Sequence, residues 1–167
     1  IQSVAAGLRG LALQPGDRVG ILAGNTVEHL TMMYALAWVG CVLVPLNVRL
    51  SAEEMAQIVN ESGASAIAGD GANLRALTSL ATSVKRTLVW IDLDGETGQG
   101  QTLDALSQSA GLDPWQADMS DLAALFYTGG TTGRPKGVMV SYGALTVQTL
   151  NLVNDLNVSA ETVYMHA

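Results

Sequence analysis

The sequence predicts an α/β fold, a layered and mostly parallel sheet flanked by helices. Three observations carry this expectation. Short apolar runs alternate with helical patterns along residues 1–92, the order that a parallel sheet with crossover helices produces. The runs, such as RVGILA and CVLVPL, lack the polar alternation of a half-exposed strand and suit burial on both faces. Hydrophobic residues make up 49% of the 167-residue chain, enough for a sizeable core. Only 5% of residues are aromatic, so that core is mostly Ala, Leu and Val.

Val4, Leu8, Leu11 and Leu13 mark the end of an amphipathic helix, and QPGDR supplies a turn in which Pro15 presets φ. RVGILA (18–23) is the first strand. Asn25 or Thr26 then caps a helix to about Val39; it is apolar on nearly every side, so it should be covered. CVLVPL (41–46) is the second strand. Ser51 and Glu54 have capping-box spacing, and Met55, Ile58 and Val59 form the buried stripe of the helix they open. ASAIAGD (64–70) is a weaker strand. Leu74, Leu77 and Leu80 mark another helix, and RTLVWID (86–92) is a strong strand.

Between Asp92 and Ser120 the chain turns rich in Gly, Gln and acids, which suits a variable surface connection with a short helix at 102–109. LAALFY is then an apolar strand and GVMVS another. A long helix from Tyr142 to about Asn157 carries Leu145, Leu152 and Leu156, and TVYMHA reads as a last strand. The expected organisation is one partial domain over 1–167. It has βα units over 1–91, the connection over 92–120, and a glycine-rich loop with its following helix and strand over 121–167.

The totals exclude several classes. Eight Lys+Arg against fifteen Asp+Glu give a net charge of −7, which argues against a nucleic-acid partner. The longest apolar stretch, Met32 to Leu46, is broken by Gly40 and Pro45 and falls short of the roughly 20 residues that span a bilayer. Cys41 is the sole cysteine; set in VGCVLVPL it reads as a buried structural thiol, and no Cys/His metal spacing exists. Such usage fits a reducing, cytoplasmic setting.

YTGGTTGRPKG (127–137) stands apart, because almost nothing in it builds a core. Gly129, Gly130 and Gly133 let backbone N–H groups turn toward one point and form an anion-binding nest. Thr128, Thr131 and Thr132 add hydroxyls, and Lys136 adds a mobile cation suited to phosphate. The bland alternative is a glycine-rich hairpin turn with an incidental lysine. A Walker A loop is excluded because Lys136 follows Pro135 and precedes Gly137, and the G-x-G-x-x-G pattern does not occur here.

LFYTGGTTGRPKGVMVS resembles the phosphate-binding loop of the adenylate-forming superfamily, and LQPGDRVGILAGNTVEHLTMMYALAWVGCVLVPLNVRLSAEEM is similar to its acyl-CoA synthetase branch. The resemblance implies that the sheet is part of the large N-terminal domain of an adenylate-forming enzyme. It implies a two-step reaction: a carboxylic acid attacks the α-phosphate of MgATP, and coenzyme A then captures the acyl group. By position, Thr128 would ligate Mg²⁺. Gly129, Gly130, Thr131, Thr132 and Gly133 would hold phosphate oxygens with Thr128, and Lys136 would neutralise the departing pyrophosphate. Gly129 stands where the family more often has Ser, and Tyr142 where a His often follows the strand.

The resemblance also implies that a second Mg²⁺-binding Glu, a ribose-binding Asp and a catalytic Lys lie in the remainder of the polypeptide. This stretch is therefore expected to hold no catalytic residue and to be inactive alone. Two rival readings are an adenylation domain that loads a carrier protein and a non-catalytic phosphate- or nucleotide-binding module. Elsewhere, His29 and His166 are expected to be structural, Trp38, Trp90 and Trp115 to serve packing, and Asp17-Arg18 to form a turn pair. Asp70, Asp92 and Asp94 sit near strand ends, where α/β folds place ligands, but none has an evident catalytic partner.

Overall fold

The structure is a computed structural model that describes residues 1–128 and 135–163. In chain order the elements are α1 (Gln2–Gly10), β1 (Arg18–Leu22), α2 (Val27–Val39), β2 (Val42–Pro45), α3 (Ala52–Ser62), β3 (Ala66–Gly69), a 3-10 turn (Gly71–Asn73), α4 (Leu74–Ser83), β4 (Val89–Asp92), β5 (Gln101–Thr102), α5 (Leu103–Ser107), β6 (Leu122–Thr128), β7 (Lys136–Ser141) and α6 (Tyr142–Asp155). The strands form one sheet in the order β5-β4-β3-β1-β2-β6-β7. All neighbours are parallel except β6 and β7, which form an antiparallel pair. The predicted fold class therefore holds.

Alternation along the strands splits the core in two. Val19 and Ile21 of β1 face one layer, with Ala66 and Ala68 of β3; α1, α2 and α5 cover it through Val4, Leu8, Met32, Leu36 and Leu106. Leu22, Val44 and Ile67 face the other, under Met55, Ile58 and Val59 of α3 and Leu77 and Leu80 of α4. The weaker strand candidate, β3, is central and wholly buried, and its small residues suit close packing between two neighbours.

The caps follow the local chemistry. Thr26, not Asn25, caps α2 by accepting the His29 amide at 3.2 Å. Ser51 and Glu54 form the reciprocal capping box of α3. Gly40 and Gly63 end α2 and α3 with φ of 82° and 64°, a left-handed region where a side chain is penalised.

Several expectations are corrected. Asp17 and Arg18 do not pair as a turn. Arg18 donates from Nε to the Ser62 carbonyl and from Nη2 to the Gly63 carbonyl, both at 2.8 Å, and so caps the negative end of α3. Asp17 instead accepts the Gln14 amide at 2.8 Å. Helix α2 is covered on one side only: Met32, Ala35, Leu36 and Val39 are buried, while Val27, Leu30 and Tyr34 are exposed. Helix α6 carries its apolar residues outward, with Leu145, Leu152 and Leu156 all exposed. Its apolar pattern finds no packing layer among the described residues. The short strand β5 is an addition that no apolar run announces. Thr162 and Val163 lie outside any strand, and the rest of TVYMHA, with His166, lies outside the described residues.

The connection between β4 and β6 is tied down. The Trp38 indole donates to the Leu112 carbonyl at 2.6 Å, and the Trp115 amide donates to the Trp38 carbonyl at 2.8 Å. Cys41 is buried, and its Sγ lies 3.4 Å from the Gln14 carbonyl. Burial, reinforced by Asp17 and opposed by Arg9, pushes its thiol up to about 12. A structural role fits such a group, because the thiolate is the reactive form.

Candidate functional site

In a parallel sheet the carboxyl ends of the strands share one edge, and ligands gather there. Half of that edge is closed by the protein itself. The strand order places the topological switch between β1 and β3. There Asp70 accepts the Gly24 amide at 2.8 Å across the gap, and its other oxygen holds the Asn73 amide and side chain. Asp92, at the end of β4, accepts the amides of Gly95, Thr97 and Gly98 at 2.9, 3.0 and 3.1 Å. Burial pushes its carboxyl up, but the Thr97 hydroxyl and these amides outweigh it and hold the group below its ordinary value. Asp94 binds the Gly71 amide through both oxygens at 3.0 Å. All three acids thus serve loop backbone.

A cleft of about 600 Å³ opens beside the end of β4, lined in part by Glu28, Asp94 and Asp104. Three carboxyl groups around one opening repel a polyphosphate. The His29 ring is engaged elsewhere: its Nδ1 sits 2.9 Å from the Gly24 carbonyl, at the start of its own helix.

The other half of the edge is shaped by the β6–β7 hairpin. β6 runs parallel to β2, so Thr128 arrives at the carboxyl edge. Thr128 is the register partner of Lys136, and both are exposed. Register partners in an antiparallel pair project to the same face, so the hydroxyl and the ammonium start side by side. Phe126 and Val138 are the next pair on that face. Phe126 there lines an apolar cleft of about 240 Å³ with Leu30, Met33, Tyr34 and Leu145. A bulge near the start of β6, between Leu122 and Ala124, lets Ala123 and Ala124 both turn inward.

Of the sequence-predicted site residues, Thr128 and Lys136 are therefore brought together. Gly129, Gly130, Thr131, Thr132 and Gly133 lie outside the described residues. Among the described residues no cluster of three His, Cys, Asp or Glu could hold a metal ion. Thr128 offers one neutral oxygen, which suits a magnesium ion already carried by phosphates better than a free one. Tyr142, at the position noted for its departure from His, is a packing residue: its amide donates to the Asp121 carbonyl at 3.0 Å and its hydroxyl to the Ala37 carbonyl at 3.4 Å. Sequence reasoning did not single out the partnership of Tyr127 with Gly137, since it depends on strand register. No described helix is long and apolar enough to cross a membrane.

Comparison with known proteins gives this arrangement a context. The chain is 31% identical to a feruloyl-CoA synthase of an Amycolatopsis species over 161 residues, which is 96% of this chain and 30% of that protein. It is 32% identical to a long-chain-fatty-acid–CoA ligase of Thermus thermophilus over 163 residues, 95% of this chain and 30% of that one. A crystal structure of a long-chain-fatty-acid–CoA ligase from Archaeoglobus fulgidus superposes with a TM-score of 0.82 at 25% identity, covering 95% of this chain and 31% of that one. The chain thus spans about 30% of the length of the curated relatives it matches. The family model of the AMP-binding enzymes matches residues 1–167, and the chain belongs to that family.

Proposed function

We propose that this chain carries the polyphosphate grip of an enzyme that activates a carboxylic acid with ATP and passes the acyl group to coenzyme A. The observation that carries the reading is the Thr128–Lys136 pair at the carboxyl edge of the sheet, in a member of the AMP-binding family. In the reaction the substrate carboxylate oxygen attacks the α-phosphorus of ATP. The bond to the β-phosphate oxygen breaks, giving acyl-adenylate and pyrophosphate. The thiol of coenzyme A then attacks the acyl carbon and AMP leaves.

Charge collects on pyrophosphate as it departs, and this chain's contribution is to meet it. Lys136 supplies a cation at a corner of the sheet, where its register partner is the neutral Thr128. Thr128 supplies a hydroxyl to a phosphate oxygen or to Mg²⁺; the glycines and threonines of 129–133 supply further donors. A bound Mg²⁺ would add charge neutralisation. Preorganised donors and a metal commonly contribute several kcal/mol to such steps. Asp70, Asp92 and Asp94 are committed to loop amides and are not candidates for the chemistry. The 167-residue chain by itself is proposed to lack turnover, which the remainder of the polypeptide would supply.

Carboxylate-dependent exchange of labelled pyrophosphate into ATP tests the reading. The full-length protein should support exchange with an aliphatic or aromatic acid and form its CoA thioester. No exchange across a panel of both acid classes, or release of ADP in place of AMP, would overturn it.

A further inference from the structure

Thr128 and Lys136 are both exposed, so the core does not fix them directly. What fixes them is a separate question from what they bind. Among the described residues β7 is the terminal strand, hydrogen-bonded in the sheet to β6 alone, and its residues from Lys136 to Met139 are exposed. One residue of the hairpin tip is anchored differently. Tyr127 is half-buried and packs against the core layer beneath α3 and α4. Its register partner is Gly137. A β-carbon at Gly137 would stand 3.1 Å from Cζ, 3.3 Å from the hydroxyl oxygen and 3.4 Å from Cε1 of Tyr127. The ring thus lies against the bare backbone of residue 137, in space that a methyl group would contest.

We infer that Tyr127 is a positioning residue for the grip: its ring, seated on Gly137 and rooted in the core, sets where Lys136 and Thr128 stand. This rests on the reading of those two residues as phosphate-binding. The mechanism is mechanical. Tyr127 precedes Thr128 in β6, and Gly137 follows Lys136 in β7, so one ring contact ties both strands at the pair next to Thr128 and Lys136. An aromatic ring covering a cross-strand glycine is a recognised way to pin strand register. Burial, followed by the charge of Glu61, pushes the tyrosine hydroxyl above its ordinary value, so the ring presents a neutral surface.

Calorimetric titration of the full-length protein with MgATP tests this, using Tyr127→Ala, Tyr127→Phe, Gly137→Ala and Lys136→Ala. Tyr127→Ala is expected to weaken binding about tenfold, while Tyr127→Phe, which keeps the ring, stays within about twofold. Gly137→Ala asks the ring to give by a few tenths of an ångström, so it should weaken binding about two- to threefold alone and not at all when added to Tyr127→Ala, where that space is vacated. Equal losses for Phe and Ala would make the hydroxyl a direct ligand and overturn the inference, as would unaltered affinity in Tyr127→Ala. Should Tyr127→Ala fail to fold, Tyr127→Leu, which keeps an apolar side chain without the ring, decides: a loss of about tenfold supports the lock, and no change overturns it. Lys136→Ala separates the two levels. If it weakens binding and the Tyr127 and Gly137 variants do not, only the positioning role falls; if it binds normally, the grip reading falls with it.

Discussion

Thr128 and Lys136 face each other as the last register pair of the β6–β7 hairpin, an exposed hydroxyl beside an exposed ammonium at one corner of the sheet. Because neither side chain builds the core, function and stability should separate here. Lys136→Ala is expected to cut pyrophosphate exchange by the full-length protein at least about tenfold, since a preorganised charge is lost. The unfolding free energy should move by no more than about 0.5 kcal/mol. Lys136→Arg should recover part of the rate. Exchange assays paired with thermal melts check both halves, and an unaffected exchange rate would remove Lys136 from the site.

Asp92 should behave as a structural acid. It is buried and holds three loop amides, so Asp92→Ala is expected to destabilise by about 1–3 kcal/mol, the cost of stranding buried donors. Its carboxyl is held below the ordinary value in the folded state. The stabilisation is therefore complete above the unfolded value, near pH 4, and is lost as pH falls through the lower folded value. Urea melts across the acid range should show a shallower decline in Asp92→Asn than in the parent.

Cys41 gives the opposite pH signature. Its thiol is pushed up to about 12 in the folded state. The neutral form is favoured by folding, so its contribution is intact below about pH 8.5 and falls as pH rises toward the folded value. At pH 8 a thiol reagent should modify Cys41 only through opening of the chain. Labelling that accelerates with urea in step with unfolding is the expected result; rapid labelling in native buffer would show the site to be accessible.

The capping box of α3 offers a local test. Ser51→Ala removes the acceptor for the Glu54 amide and should cost about 1 kcal/mol. Glu54→Ala frees the Ser51 amide and should cost less, because that amide can turn to water. Arg18→Met should add a loss at the other end of the same helix, where two carbonyls lose their donor. Chemical denaturation of the three variants ranks them.

The open apolar faces predict self-association of the 167-residue chain. Leu150 of α6 is 62% exposed and Tyr34 of α2 56% exposed, and both lie among other exposed apolar residues. Light scattering should find particles larger than a monomer, and Leu150→Asp with Tyr34→Asp should shift them toward the monomer. A monodisperse monomer from the unsubstituted chain would contradict this.

The elements that were legible in sequence are those specified locally. β1 appears as an apolar run because both of its faces are buried, β2 and β4 because their residues are buried or half-buried, and α3 declares its start through Ser51 and Glu54. Long-range partnerships were not legible. Arg18 sits next to Asp17 in sequence, yet its guanidinium crosses to the end of α3, which only the β1–β3 pairing brings near. β5 is formed by Gln101 and Thr102, whose pairing depends on β4 and not on any apolar pattern of their own. The periodicity of α6 announces an apolar face but carries no information on what covers it. The site follows the same division. Its expected chemistry rests on composition, glycines and threonines before a lysine, whereas the Tyr127–Gly137 contact exists only once the register is known.

The antiparallel return of β7 has an entropic consequence. Pairing of Thr128 with Lys136 joins the ends of two strands when the chain folds, before any ligand arrives. The cost of bringing two chain positions together grows only slowly with their separation in sequence, and here it falls on folding rather than on binding. On the proposed reading of this pair as a phosphate grip, ligand affinity is spared the cost of bringing Thr128 and Lys136 together.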